Sequence, residues 1–591
     1  MIGHHRHADD SIRRRARRLV PMVVLLLATA SAGSVSRAAT PIPVLLEDPA
    51  EAGERLLPPE LPDDPPGIPA RPVLGASRAA AVTFGRFTHI QVNVAANGSN
   101  IPGDAANEPS ITVDPTNHDR MAIGWRQFDT IASNFREAGY AYTTNGGASW
   151  TAGEIESGVF RSDPVLGSDG LGKFFYSSLS TTGGFAARLF PSTNGGMTWG
   201  ASSFAYGGDK QWITIDRTGG MGHNNVYQAW STASNPTPGN TFNRSVDAGA
   251  SFQAPTSIPN TPLWGTLDVA SNGTLYVAGS NGTSTPIYVA RSTNAQNSAM
   301  TPTFTTVSPN LGGTIQTGGP NPAGLLGQLW IAVDRSNGPR AGWVYVLATV
   351  QTPTDPMDVQ FIRSTDGGQT WSAPVRVNDD PAGNRAWQWF GTMSISPGGR
   401  LDAVWNDSRT TGDSTRTALF YAYSTDGGTT WSPNEQASPV WNSRLGWPNQ
   451  NKIGDYYHMV SDEAGADLAW SATFNGEQDV YYLRIQNAVA AVAGEAGERP
   501  VRLHPNLPNP FGSTTAITFD APAGAHVTLE VFDPAGRHVS TLLDGRAVGG
   551  TQVARWDGSD GSGRAVGSGI YLCRLQAAGV TQTRRLMLLR R

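Results

Sequence analysis

Carboxylates, basic residues and aromatics recur along this chain where short apolar strand patterns begin or end. Glu108, Asp163, Asp209 with Lys210, and Asp455 with Tyr456 and Tyr457 stand at strand starts. Arg126 follows Met121-Ala-Ile-Gly-Trp125, while Asp407 and Arg409 follow Leu401-Asp-Ala-Val-Trp405. Trp230 and Trp470 close two further patterns of that kind. Carboxylates interleaved with arginines and aromatics make a carbohydrate or small-anion site. Two other readings stay open. Acids at strand starts also cap backbone groups, with arginines neutralising them, and an acidic ring also suits a structural calcium ion.

What would bring these residues together is a repeated turn. Thr143-Thr-Asn-Gly-Gly-Ala-Ser-Trp150, Ser192-Thr-Asn-Gly-Gly-Met-Thr-Trp199, Ser245-Val-Asp-Ala-Gly-Ala-Ser-Phe252, Ser364-Thr-Asp-Gly-Gly-Gln-Thr-Trp371 and Ser424-Thr-Asp-Gly-Gly-Thr-Thr-Trp431 share one pattern. The short side chains of Asn145, Asn194, Asp247, Asp366 and Asp426 can bond backbone N–H groups further along, and the glycines take positive φ without strain. The closing aromatic is expected to pack back across its own hairpin. Neighbouring copies lie roughly 50 to 60 residues apart, and the longest gap leaves room for a decayed copy near Ser292-Thr-Asn294. That spacing fits one four-stranded sheet per copy, the signature of a β-propeller.

Seven repeat units can be laid out, so the expected fold is all-β with seven blades, or six if the fourth unit is an insertion. The seventh unit ends in Asp479-Val-Tyr-Tyr-Leu-Arg-Ile485 without a turn motif. Its missing outer strand is expected from Thr88-His-Ile-Gln-Val-Asn-Val94, closing the ring and hiding the sheet edges. Starts of first strands and ends of second strands then share one side of the ring.

Composition narrows the function classes. The 591 residues carry a net charge of -5 and only 15% charged residues, which gives no basic footprint for nucleic acid. One cysteine, Cys573, excludes an internal disulfide and a cysteine-based zinc site. Arg13-Arg-Arg-Ala-Arg-Arg18 followed by the apolar stretch Leu19 to Ala32 reads as an export signal over residues 1–39. The apolar run is shorter than the roughly 20 residues of a membrane helix, so no span is expected after processing. Residues 40–83 read as a proline-rich spacer, 84–487 as the propeller, 488–500 as an Ala/Gly/Glu linker and 501–591 as a small β-sandwich.

The Ser-x-Asp-x-Gly-x-x-Trp pattern resembles the Asp-box (BNR) repeats of sialidases, which also occur in other glycosidases, sorting receptors and binding propellers. The resemblance covers roughly residues 84 to 487. It implies that the Asp-box residues are structural and that chemistry lies on the axial face. There the family uses three arginines on the substrate carboxylate, a tyrosine nucleophile assisted by Glu, and an Asp acid/base, an exception to the two-carboxylate scheme. Carried onto this chain, Arg126 and Arg409 would hold the carboxylate and Asp163 would be the acid/base. Tyr456 or Tyr457 with Glu108 would be the nucleophile pair, and Lys210, Asp407, Asp455 and Trp230 would line the substrate. Asn107-Glu-Pro-Ser110 stands where the family has Arg-Ile-Pro, without its arginine.

The last module resembles the C-terminal sorting domains of type IX secretion cargo and the Ig-like domain of flagellar hook-capping proteins. The matching residues are Leu507-Pro-Asn-Pro-Phe511, Val531-Phe-Asp-Pro-Ala-Gly-Arg537, Trp556-Asp-Gly-Ser-Asp560, Ser568-Gly-Ile-Tyr571 and Arg584-Arg585. This implies export to the surface or medium, with the export machinery as a partner. Two readings of function follow. One is a secreted sialidase-like glycoside hydrolase acting on extracellular glycans or glycoproteins. The other is a non-catalytic surface propeller that binds glycan or protein, which the missing arginine favours. Neither requires a cofactor.

Overall fold

The computed structural model describes residues 81–181, 185–231, 237–486, 501–504, 506, 508–521, 524–547 and 550–590. The export signal, nearly all of the spacer, the linker and Leu507 lie outside them. Among the described residues there is no helix, and so none long and apolar enough to cross a membrane. The chain divides into two compact units, one ending at Ile485 and the other beginning at Gln486.

In the first unit, seven small antiparallel sheets succeed one another along the chain. Their first strands are Ala105–Val113, Ser162–Ser168, Trp212–Ile215, Leu267–Val269, Trp330–Val333, Gln388–Ile395 and His458–Asp462. Each pairs with the next strand in sequence, as Ala105–Val113 does with Met121–Phe128. The seventh sheet takes Phe87–Gln91 beside its own Asp479–Gln486, with His89 opposite Leu483 and Gln91 opposite Tyr481. Val82–Phe84 pairs outside that strand, so the first strand starts two residues before the expected Phe84. The clasp is completed by Asn93, whose Nδ2 donates to Asp479 Oδ1 (2.6 Å) while its Oδ1 accepts from Val480 N (2.9 Å).

The repeated turns form as their residues dictate. Asp426 Oδ1 accepts from Ser424 Oγ (2.8 Å) and Thr430 N (3.0 Å), and Asp366 does the same with Ser364 and Thr370. Asn145, Asn194 and Asp247 accept the equivalent bonds. The decayed fourth copy keeps the logic across a longer loop, with Asn294 Oδ1 accepting from Ser292 Oγ (3.0 Å) and Thr303 N (2.9 Å). The closing aromatics depart from expectation, because they reach the preceding sheet. Trp431 meets Phe361 at 5.4 Å between centroids, Trp150 meets Tyr482 at 5.1 Å, and Trp199 touches Tyr140 as well as Tyr176. The second glycine of the turn is the reason. A Cβ on Gly428 would stand 2.0 Å from Phe361 Cε1, so the bare backbone lies flat on the neighbouring ring.

At the axis, first strands of alternate sheets pack an aromatic plug. Trp212 meets Trp330, Tyr456 and His458 edge-on, with centroids 5.2, 5.2 and 5.3 Å away. Burial pushes the His458 imidazole down to about 3, so it is neutral here. Its Nδ1 lies 2.8 Å from Ser110 Oγ.

The second unit holds two antiparallel sheets. Arg502–Leu503, Thr515–Ala521 and Gly550–Trp556 form one, and His538–Arg546, His526–Phe532, Gly569–Ala577 and Val580–Leu588 the other. Alternating residues such as Ile517, Phe519, Val527, Leu529 and Cys573 fill one core. Asp557 and Asp560 accept turn bonds from Ser559 N (3.0 Å) and Ser562 N (2.9 Å), so they serve as hairpin formers.

Candidate functional site

The first strand of each of the seven sheets has a left-handed residue within it or just ahead of it. These are Glu108, Asp163, Lys210, Trp264 and Phe390, with Gly327 and Gly454 in the fifth and seventh sheets. At Glu108 and Asp163 the strand pairing slips, between Asn107 and Ser110 and between Ser162 and Val165. Such bulges re-aim a side chain, and positive φ on a non-glycine residue is held only where its surroundings enforce it.

What enforces it here is a buried ionic layer. Arg126 Nη2 lies 3.1 Å from Glu108 Oε1, and Lys452 Nζ lies 3.4 Å from the same oxygen. Lys452 Nζ also stands 2.8 Å from Asp455 Oδ2, which Lys210 Nζ approaches to 2.6 Å from the third sheet. Lys210 Nζ is 3.5 Å from Asp209 Oδ1, and its backbone N donates to Asp163 Oδ2 (2.9 Å). Asp163 Oδ1 accepts from Ser162 Oγ (2.7 Å), and Arg126 Nε donates to Asn107 Oδ1 (2.9 Å). All of these residues are buried. Burial drives the Glu108 carboxyl well above its ordinary range, against the pull of Arg126 and Lys452.

Tyr456 adjoins this layer, whereas Tyr457 packs on Phe390 and Trp470. Tyr456 donates its hydroxyl to Pro164 O (2.9 Å), and burial, with Glu108 nearby, raises its phenol far above the ordinary value. Tyr457 donates to Ser471 O (2.8 Å) and accepts from Asn406 Nδ2 (3.0 Å), and burial raises it too. Trp230 is buried at the end of Val226–Ala229.

Arg409 belongs to a different network. Its Nη2 lies 2.8 Å from Asp407 Oδ2 and 3.3 Å from Asp380 Oδ1, and its Nη1 lies 2.5 Å from Asp379 Oδ1. Burial raises the Asp407 carboxyl although Arg409 opposes it. The structure therefore brings Glu108, Arg126, Asp163, Lys210, Asp455 and Tyr456 to one axial region. Arg409 and Asp407 are instead joined through Asp380 to Arg376, which pairs with Asp358 of the fifth sheet.

Two parts of the layer went unread in the sequence. Lys452 sits in the irregular run Gln450-Asn-Lys-Ile-Gly454, where only its place three residues before Asp455 marks it. The hairpin of Thr317–Gly318 and Asn321–Leu325 stands between the fourth and fifth sheets as a separate two-stranded sheet. It reaches the segment that enters the seventh. Asn321 Nδ2 donates to Gly454 O (2.7 Å), its Oδ1 accepts from Ile453 N (2.9 Å), and Leu325 N donates to Asp455 Oδ1 (2.7 Å). Its signal in the sequence is the turn-rich Gly318-Gly-Pro-Asn-Pro-Ala-Gly324.

The axial acids are bound by protein cations. Among the described residues, side-chain clusters that could share a metal ion lie elsewhere, as His118–Asp462–Asp467 and Asp129–Glu137–Glu154. In the first of these Arg484 already bonds Asp462 and Asp467, at 2.8 and 2.9 Å.

The BNR/Asp-box repeat family matches residues 362–373 and 422–433, which are two of the five turns. No curated protein sequence matches the chain. Among solved structures, a Trypanosoma rangeli sialidase bound to the inhibitor DANA is similar at 12% identity, covering 86% of this chain and 88% of that one with a TM-score of 0.32. PorZ, a bacterial surface component of the type-IX secretion system of Porphyromonas gingivalis, is 12% identical over 87% and 86% with a TM-score of 0.34. An α-L-arabinofuranosidase of Fusarium graminearum with an iminosugar inhibitor is 14% identical over 47% and 92% with a TM-score of 0.29. At these scores the likenesses carry no argument for an activity. The matched repeats and the succession of small antiparallel sheets make the first unit a β-propeller of the BNR type.

Proposed function

We propose that this chain is an exported propeller that binds a glycan or a glycoprotein outside the cell and does not hydrolyse it. The observation that carries this is the commitment of the axial groups to one another. A carboxylate clamp needs arginines that converge on a ligand, whereas Arg126 is spent on Glu108 and Arg409 on Asp407, Asp379 and Asp380. A nucleophilic phenol needs a lowered pKa or an adjacent base, whereas Tyr456 donates to a carbonyl and is pushed upward. The seven sheets are read as seven blades. The second unit is read as an Ig-like sorting domain, with the export machinery as its partner and the signal removed on export.

A sialidase-like hydrolase is the second reading, and Glu108 favours it. Burial raises the Glu108 carboxyl, the direction in which enzymes move a general acid. In that reading Asp163, Glu108 and Tyr456 or Tyr457 do the chemistry beside Arg126. The two readings separate on purified full-length protein offered fluorogenic acidic and neutral glycosides alongside a glycan array. Capture on the array with no fluorophore release supports the binding reading. Release that Tyr456→Phe abolishes establishes the hydrolase.

A further inference from the structure

Two lysines share one carboxylate oxygen at the axis. Lys210 Nζ lies 2.6 Å and Lys452 Nζ 2.8 Å from Asp455 Oδ2, while Asp455 Oδ1 accepts from Leu325 N (2.7 Å). We propose that Lys210 and Asp455 form a self-modification site, where amine and carboxyl condense into an isopeptide bond joining the third sheet to the entrance of the seventh. The proposal goes beyond the ligand reading, since the bond forms whether the propeller binds or hydrolyses.

The surroundings are buried and crowded. Lys210 is 2% exposed, and Asp455 and Glu108 are fully buried. A Cβ on Gly324 would stand 2.8 Å from Asp455 Oδ1, and one on Gly454 2.6 Å from Glu108 Cγ, so bare backbone lies against both acids. The aromatic plug adjoins through Tyr456, the next residue along the chain. In water, hydration keeps an ammonium and a carboxylate apart as ions. Burial strips that hydration away, and the attraction left between the ions barely offsets the loss. A neutral amide carries no such cost. The layer sets Arg126, Lys210 and Lys452 against Glu108, Asp163, Asp209 and Asp455, and condensation removes one charge of each sign. Contact also turns a bimolecular condensation into a unimolecular one.

The three donors around Asp455 divide the chemistry. The Lys210 ammonium passes one proton to Oδ2, and its freed lone pair forms the Nζ–Cγ bond. Negative charge then gathers on Oδ1, where the Leu325 N–H stabilises it. The Lys452 ammonium protonates Oδ2 again and recovers a proton from the adduct nitrogen. The Cγ–Oδ2 bond breaks, water departs, and one hydrogen remains on the amide nitrogen. Nothing is oxidised or reduced. Glu108 Oε1, 3.4 Å from Lys452 Nζ, also holds Lys452, which leaves Lys210 as the nearer amine and the nucleophile.

The chain has one cysteine and so no internal disulfide. An amide between Lys210 and Asp455 closes a long loop and restrains the unfolded chain as a disulfide would. The test is a tryptic map of the full-length protein, purified folded and then denatured. In most of the protein, segment 189–217 should be joined to 453–484, lighter than their sum by one water and uncut after Lys210. Lys210→Arg keeps the charge but should restore cleavage at that position and release 453–484 at full mass. A folded, unmodified chain that yields 189–210 and 453–484 separately at full mass overturns the proposal. Loss of water between Lys452 and Asp455 instead overturns the assignment to Lys210. The map of the unmodified chain decides the matter without any variant having to fold.

Discussion

Lys210 in the third sheet and Asp455 in the seventh are joined at 2.6 Å across three intervening sheets of the succession. A bond between sheets that are not neighbours is possible only where strands converge, at the axis. There the aromatic plug of Trp212, Trp330, Tyr456 and His458 fills the space beside it. The ionic layer and the plug together leave the expected catalytic groups engaged with one another.

Arg126→Ala should act through stability. It strips Glu108 of its nearest cation in a buried setting, and breaking a buried pair costs about 3–5 kcal/mol. Adding Glu108→Gln should return part of that loss. Urea unfolding followed by tryptophan fluorescence checks both. An Arg126→Ala protein of unchanged stability with a selective loss of acidic-sugar binding would restore the carboxylate clamp.

The ring closure should tighten as pH falls. Burial raises the Asp479 carboxyl from 3.8 to about 7, despite the bonds donated by Asn93 and Asn475 and with Glu477 adding repulsion. A group whose folded pKa lies above its unfolded value contributes stability that is complete below about pH 4 and is lost as pH rises through about 7. The urea midpoint should therefore fall between pH 5 and pH 8, and Asp479→Asn should flatten that slope. The same slope in both proteins would assign the effect to other groups.

Trp431→Ala should destabilise by about 2–4 kcal/mol, since the indole packs on Phe361 of the preceding sheet but is only partly buried. Gly428→Ala should be comparably harmful, because its φ is +76° and its Cβ would meet the same ring at 2.0 Å. Neither change should alter ligand binding in the folded protein. Thermal melts paired with array binding check this, and a stable Trp431→Ala protein that no longer binds would reverse it.

Tyr456→Phe should cost about 1 kcal/mol, the net worth of one neutral hydrogen bond to Pro164 O. It should leave any measured ligand affinity unchanged. A thermal melt and a binding titration on the same preparation are sufficient to decide.

The Asp-box turns were legible because their residues do local work. Ser424, Asp426 and Thr430 bond one another within seven residues, so the pattern survives without any view of the fold. The closing strand was legible from the alternation around Ile90 and from the missing edge of the last unit. The strand starts were legible too, and Glu108, Asp163, Lys210 and Asp455 do converge. What chain order withheld was distance. Arg126 lies within the second strand of the first sheet and Arg409 just past the second strand of the sixth, and each found an acid in its own neighbourhood. Lys452 and the Thr317–Leu325 hairpin lie in segments without strand periodicity, where nothing local declares a tertiary role. Trp431 reached the neighbouring sheet because Gly428 permits close approach, which its own hairpin does not announce.

The coupling between Lys210 and Asp455 is the most direct measurement. In a double-mutant cycle of Lys210→Met, Asp455→Asn and the pair, followed by urea unfolding, a bonded axial layer predicts a coupling of about 1.5 kcal/mol or more, with the double variant losing less than the sum of the singles. Single variants that each unfold like the unmodified protein, with coupling near zero, would contradict a closed ionic layer and reopen the axial face as a catalytic site.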